Sequence, residues 1–94
     1  MNHDVLRREA DGIARDFIGF LSAVPDSGVA PVDPEEFRAM VWAGEAKLGT
    51  ETLCEQLEEN HAALPPWLVG RIRRFGEQAG VDISYLNRIP IEPT

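Results

Sequence analysis

Leu6, Ala10, Ile13, Phe17, Phe20/Leu21 and Val24 recur at i, i+4, i+7, i+11, i+14/15 and i+18, with charged residues between them. That spacing places them on one face of an amphipathic helix, predicted over about residues 4–23. Pro25 ends it, and PDSG supplies turn chemistry. A second helix start follows in VDPEEF: Asp33 suits the cap, Pro34 the first helical position, and Glu36 the acidic place of a capping box. Phe37, Met40 and Val41 form its short apolar stripe, and Gly44 offers a break.

A third helix is predicted over about 45–59. Leu53 and Leu57 face inward, and Ala46 and Gly49 complete a narrow inner stripe. NHAAL leads on to Pro65-Pro66, which can stand only in the first turn of a fourth helix. Leu68, Ile72, Phe75 and Ala79 give that helix its apolar face. Gly80 fits its C-terminal cap, with Val81 packing back. Asp82 can cap one further turn through Tyr85 and Leu86, and RIPIEPT reads as an extended or frayed tail. No segment shows the alternation of a strand. The expected fold is all-α: a compact bundle of about four helices with a short C-terminal helical turn. It makes one domain over 1–94, with its core at about 4–87 and an extended tail over 88–94.

Composition changes this picture in one respect. An apolar share of 44% and a charged share of 27% are ordinary for a folded chain of 94 residues. The net charge of −7, however, is unevenly placed. Residues 31–62 carry eight acids and two bases; residues 1–30 carry five and three, and residues 63–94 carry three and four. The acidity therefore belongs to the middle third. Such a field repels nucleic acid and anionic lipid and attracts basic proteins. FIGFLSAV, residues 17–24, follows two arginines, yet Glu9, Asp11 and Asp16 interrupt the approach and eight residues cannot span a bilayer. No membrane association is expected, and the chain reads as cytoplasmic.

Candidate chemistry is sparse. His3 and His61 have no second histidine or cysteine at ligand spacing, so no metal is expected, and no glycine-rich phosphate loop or other cofactor signature is present. Cys54 and His61 lie seven apart, about 10 Å along a helix, too far for a hydrogen-bonded nucleophile and base. Cys54 beside the Leu53/Leu57 stripe reads as a small core residue. The carboxylates lie on an exposed helix face rather than converging in a cleft, so no enzyme activity is expected. Arg71, Arg73 and Arg74 read as a solvated helix face able to pair with neighbouring acids, not as a nucleic-acid site. Trp42 and Trp67 read first as peripheral core packing, with interface anchors as the alternative.

The acids themselves are the remaining signal. Glu51–Glu55, Glu55–Glu58 and Glu55–Glu59 are like-charge pairs at helical spacing, each costing about 0.2–0.5 kcal/mol. Glu58 and Glu59 also face the negative end of the helix dipole. The whole face costs roughly 1–2 kcal/mol before salt screening. Either it is a solvated face, or the charge serves a cationic partner. On the second reading the partner-binding residues are Glu45, Glu51, Glu55, Glu58 and Glu59, with Asp33, Glu35 and Glu36 as a second acidic site.

The pattern GE-x5-E-x-LC-x-QL-x-E, formed by Gly44, Glu45, Glu51, Leu53, Cys54, Gln56, Leu57 and Glu59, resembles the core of MafI-type immunity proteins. The apolar helix ending RRFGEQAGVD and the one-turn element SYL extend the resemblance over residues 44–87, while residues 1–43 share only length and helical character. The chain departs from the family at Gly49-Thr50, at Pro65-Pro66 and at Tyr85-Leu86. These are short, acidic, mostly helical proteins encoded beside polymorphic or contact-dependent-inhibition toxins. The resemblance implies stoichiometric inhibition of a cognate toxin domain, of nuclease type with a basic substrate groove. A helical adaptor or regulatory subunit for another basic intracellular protein is the alternative.

Overall fold

The computed structural model describes residues 3–23 and 32–93. Among these described residues five helices follow in order: α1 (His3–Ala23), α2 (Pro34–Trp42), α3 (Ala46–Glu59), α4 (Pro66–Ala79) and α5 (Ile83–Leu86). The all-α fold is as the hydrophobic spacing predicts. Val24, Pro25 and the PDSG turn lie outside the described residues.

Helix α1 packs on α2 and α4, α2 on α3, and the short α5 closes the end of α3 and α4. Each long helix contributes its predicted stripe to one core. Leu6, Ala10, Ile13 and Phe17 come from α1, Leu53 and Leu57 from α3, and Leu68, Ile72 and Phe75 from α4. Phe37 of α2 meets Phe75 edge to face, with ring centroids 5.4 Å apart and planes at 71°. That arrangement sets the positive ring edge of one against the negative face of the other. Thr50 is also fully buried, and its hydroxyl donates to the Ala46 carbonyl at 2.8 Å. It lies on the same stripe but carries a polar group, which hid it from a hydrophobic reading.

Three helices end in one way. After α2, the Glu45 N–H donates to the Met40 carbonyl (2.8 Å) and the Gly44 N–H to that of Val41 (3.0 Å). After α3, Ala62 and His61 donate to Leu57 (2.9 Å) and Glu58 (3.1 Å); after α4, Val81 and Gly80 donate to Gly76 (2.9 Å) and Glu77 (3.2 Å). Each pair satisfies carbonyls that the last turn leaves open, and each needs a left-handed residue at the pivot. Gly44 (φ +88°) and Gly80 (φ +83°) supply it without steric cost, whereas His61 takes φ +50° with a side chain attached.

Two expectations are corrected. The C-terminal tail is extended but not frayed. Leu64 donates to the Pro90 carbonyl (3.0 Å) and accepts from Glu92 (2.9 Å), and Ile89 is buried, so the core runs past residue 87. Pro90 has no N–H to extend this parallel bridge on one side, and Pro66, where α4 begins, has none to extend it on the other. Trp42 and Trp67 are not peripheral core: they are 45% and 53% exposed.

Candidate functional site

The acidic surface is built by α2, α3 and the tight link between them. Asp33 opens α2 by accepting from the backbone N–H groups of Glu35 (3.0 Å) and Glu36 (3.1 Å), and Pro34 begins the first turn. Both bonds go to the same carboxylate oxygen, Oδ1. Glu35 is also engaged, since Arg38 Nε donates to it at 3.3 Å. Arg38 reaches Asp11 of α1 at 3.4 Å as well, and these two carboxylates, Glu35 first, raise the Arg38 pKa further above its already high value. Glu36 has no such partner. It lines a shallow seam between α2 and α3 floored by Phe37, Met40 and Leu53, too narrow to admit a water molecule.

On α3 the buried residues Gly49, Thr50, Leu53, Cys54 and Leu57 fix which side faces the core. Glu55, Glu58 and Glu59 are exposed on the opposite side, with Glu51 half-buried at its edge. Leu48 stands in the same outward row, 49% exposed, one turn before Glu51 and two before Glu55. Glu45 precedes the first turn, exposed, and its side chain makes no capping bond. Glu58 lies 3.9 Å from Arg88 Nε, a long contact between half-exposed groups worth about 0–1 kcal/mol.

The eight acids thus divide. Asp33, Glu35 and Glu58 have partners within the chain. Among the described residues, Glu36, Glu45, Glu51, Glu55 and Glu59 have no cation within ion-pair reach. Glu45, Glu51, Glu55 and Glu59 follow α3 from its start to its end, and Glu36 lies across the α2 seam.

Cys54 sits beneath this face, 1% exposed. Burial, with Glu51 and Glu55 adding to it, pushes its thiol up to about 12, so the sulfur stays protonated and is a poor nucleophile. Among the described residues no cluster of three metal-ligating side chains exists, and no helix is long and apolar enough to cross a membrane.

The arginine cluster of α4 does not serve the acids of α3. Arg71 is held by Asp16 and lies 3.8 Å from Glu9, both on α1, which ties α4 to the first helix. Arg73 donates to the Asn87 side chain at 3.0 Å. A second feature escaped the sequence. The indole N–H of Trp42 donates to Asp11 at 2.8 Å, while Arg7 lies over its ring at 5.1 Å and donates to its carbonyl at 3.0 Å. These partners are 31 and 35 residues away in the chain, and no local pattern links them.

Comparison with protein-family models, with characterised proteins and with solved structures gives no match to this chain.

Proposed function

We propose that the chain is an immunity protein, which binds a cognate bacterial toxin domain and neutralises it without turnover. The observation that carries this reading is the row of unpaired carboxylates: Glu45, Glu51, Glu55 and Glu59 along the outer side of α3, with Glu36 beside them. A folded chain gains little from Glu51, Glu55 and Glu59, because like charges one turn apart oppose the helix they stand on. A basic groove of the kind that holds a phosphate backbone is the complement of that row. Carboxylates laid into it form charge-assisted hydrogen bonds to lysine and arginine and steer encounter at low salt. The resemblance of residues 44–87 to MafI-type proteins supplies the class of partner, a toxin of nuclease type acting in the cytoplasm. The acidic surface supports a basic partner.

The experiment is co-purification with the product of the adjoining upstream gene, followed by an activity assay on that product with and without this chain. Reversing Glu55, Glu58 and Glu59 to lysine is expected to weaken association strongly and to flatten its dependence on salt. Unchanged affinity and an unchanged salt slope would sink the acidic-face reading.

A further inference from the structure

Helices α3 and α4 each leave an outer face unpartnered, and the two match over Leu48–Glu55 and Trp67–Arg74, although the same register sets Glu77 against Glu58 one turn further on. On α4, Trp67 is 53% exposed and Arg74, seven residues on, is exposed as well. Arg74 differs from its neighbours Arg71 and Arg73: among the described residues it has no carboxylate or amide partner. One of its terminal nitrogens lies 3.4 Å from where a Cβ on Gly70 would stand, so the side chain runs back along the helix toward Trp67. On α3, Leu48 and Glu55 are also seven residues apart, and both are exposed.

Seven residues span about 10.5 Å on any α-helix. An apolar group followed by a charge at that interval therefore appears on both faces, with the charge positive on α4 and negative on α3. We infer that a second copy of this chain docks head to tail, with Trp67 and Arg74 of α4 in one copy lying on Leu48 and Glu55 of α3 in the next. The helices run side by side in the same direction. Gly70 then falls opposite Glu51, and the Arg74 guanidinium already occupies the space its absent side chain leaves. Both faces are turned away from the core, so they cannot meet within one molecule.

The contact is heterologous, because each copy offers a different patch. It leaves one of each free at the ends, and assembly continues past the dimer unless a ring closes. A contact of two short helix faces belongs to the small, weak class of interfaces, and the net charge of −7 opposes it at low salt. It covers the α3 face assigned above to the toxin, so the two bindings exclude each other. The inference rests on the two rows alone, and its test contains only this chain, so its failure leaves the immunity reading untouched.

Sedimentation equilibrium across a rising concentration series tests it. The weight-average mass of the native chain is expected to climb above that of the monomer. Arg74→Glu and Glu55→Lys each set like charges face to face, and each alone is expected to associate at least about tenfold more weakly. In an equimolar mixture each variant meets opposite charges on the other, alternating along the assembly, and association is expected to recover to within about twofold of that of the native chain. Trp67→Ser is expected to weaken association without altering charge. All three positions are exposed, and circular dichroism checks that the variants remain folded. A native chain that stays monomeric throughout, single reversals that assemble like the native chain, or a mixture that fails to recover would each overturn the inference.

Discussion

Helices α3 and α4 are both fourteen residues long, both bury five residues, and both end on the same pair of backbone hydrogen bonds. Their differences lie elsewhere. Helix α4 ends at a glycine that accepts the left-handed pivot freely, while α3 ends at His61, which must be forced there. Outside, α4 carries arginines and an indole; α3 carries glutamates that oppose one another and, at Glu58 and Glu59, the dipole of their own helix. What holds α3 in place is its inner face. Burying Leu53 and Leu57 stabilises by about 1.5–3 kcal/mol each, more than the roughly 1–2 kcal/mol its outer charges cost. A helix so anchored can carry an outer face chosen for something other than its own stability.

The sharpest test of that division sets the two sides of α3 against each other. Leu57→Ala removes a fully buried side chain and is expected to cost about 2–5 kcal/mol in urea unfolding. Leu48→Ala, on the outer row, is expected to stay within about 0.5 kcal/mol. Equal losses would mean that Leu48 packs in the isolated monomer. The same contrast exists on α4 between two glycines. A Cβ at Gly76 would stand 2.6 Å from the Leu86 Cδ2, a fully buried atom with little room to shift. Gly76→Ala is therefore expected to cost about 1–3 kcal/mol by overpacking α4 against α5. Gly70→Ala meets only the flexible end of Arg74 and is expected to stabilise by about 0.5–1 kcal/mol, since alanine loses less backbone freedom in a helix.

These contrasts also show where the sequence is transparent. Stripes at helical spacing reveal inner faces because burial is repeated every three or four residues. The predicted bounds of α1, α3 and α4 therefore lie within a residue or two of those observed. Asp33, Gly44, Gly80 and Asp82 were legible because caps depend on residue type at one position. His61 was not, because nothing in its chemistry favours a positive φ; only the closure onto Leu57 and Glu58 puts it there. The carboxylates could be named from the sequence, but not sorted. Glu58 has a cation from the tail and Asp33 is a cap, while Glu55 has neither, and that sorting depends on tertiary placement. The same holds for Trp42, whose partners Arg7 and Asp11 come from another helix.

Cys54 joins the two sides of α3, and pH reads the junction. Its thiol is raised from 9.0 to about 12 in the folded chain, chiefly by burial. The unfolded chain therefore gives up this proton first. The stability tied to the neutral thiol is complete below pH 9 and falls progressively as pH rises toward 12. Unfolding midpoints followed from pH 8 to 11 are expected to decline, and Cys54→Ala is expected to decline less. At neutral pH a thiol reagent is expected to label Cys54 only as fast as the chain opens; rapid labelling of the native protein would contradict its burial.

Giving α3 the ending that α4 has is a smaller change. His61→Gly keeps both closing hydrogen bonds and removes the Cβ from a left-handed residue, so thermal unfolding is expected to show a gain of about 1 kcal/mol. A loss would show that the His61 side chain does more than occupy the pivot.

The smallest effect isolates the charges. Glu55 has a like charge at i−4 (Glu51), i+3 (Glu58) and i+4 (Glu59), so Glu55→Gln relieves three repulsions of about 0.2–0.5 kcal/mol each. Stability is expected to rise by about 0.5–1 kcal/mol at low ionic strength, and the gain is expected to shrink as salt screens it. Arg74→Gln on α4 makes the fitting control. It has a like charge at i−3 (Arg71) and an opposite one at i+3 (Glu77), so the two nearly cancel and stability should barely move at any salt. A salt-sensitive gain at Glu55 with none at Arg74 would show that only α3 carries charge at a cost to its own helix. Equal responses would return the glutamates to an ordinary solvated face, and with that the charge argument for a basic partner would lose its physical ground.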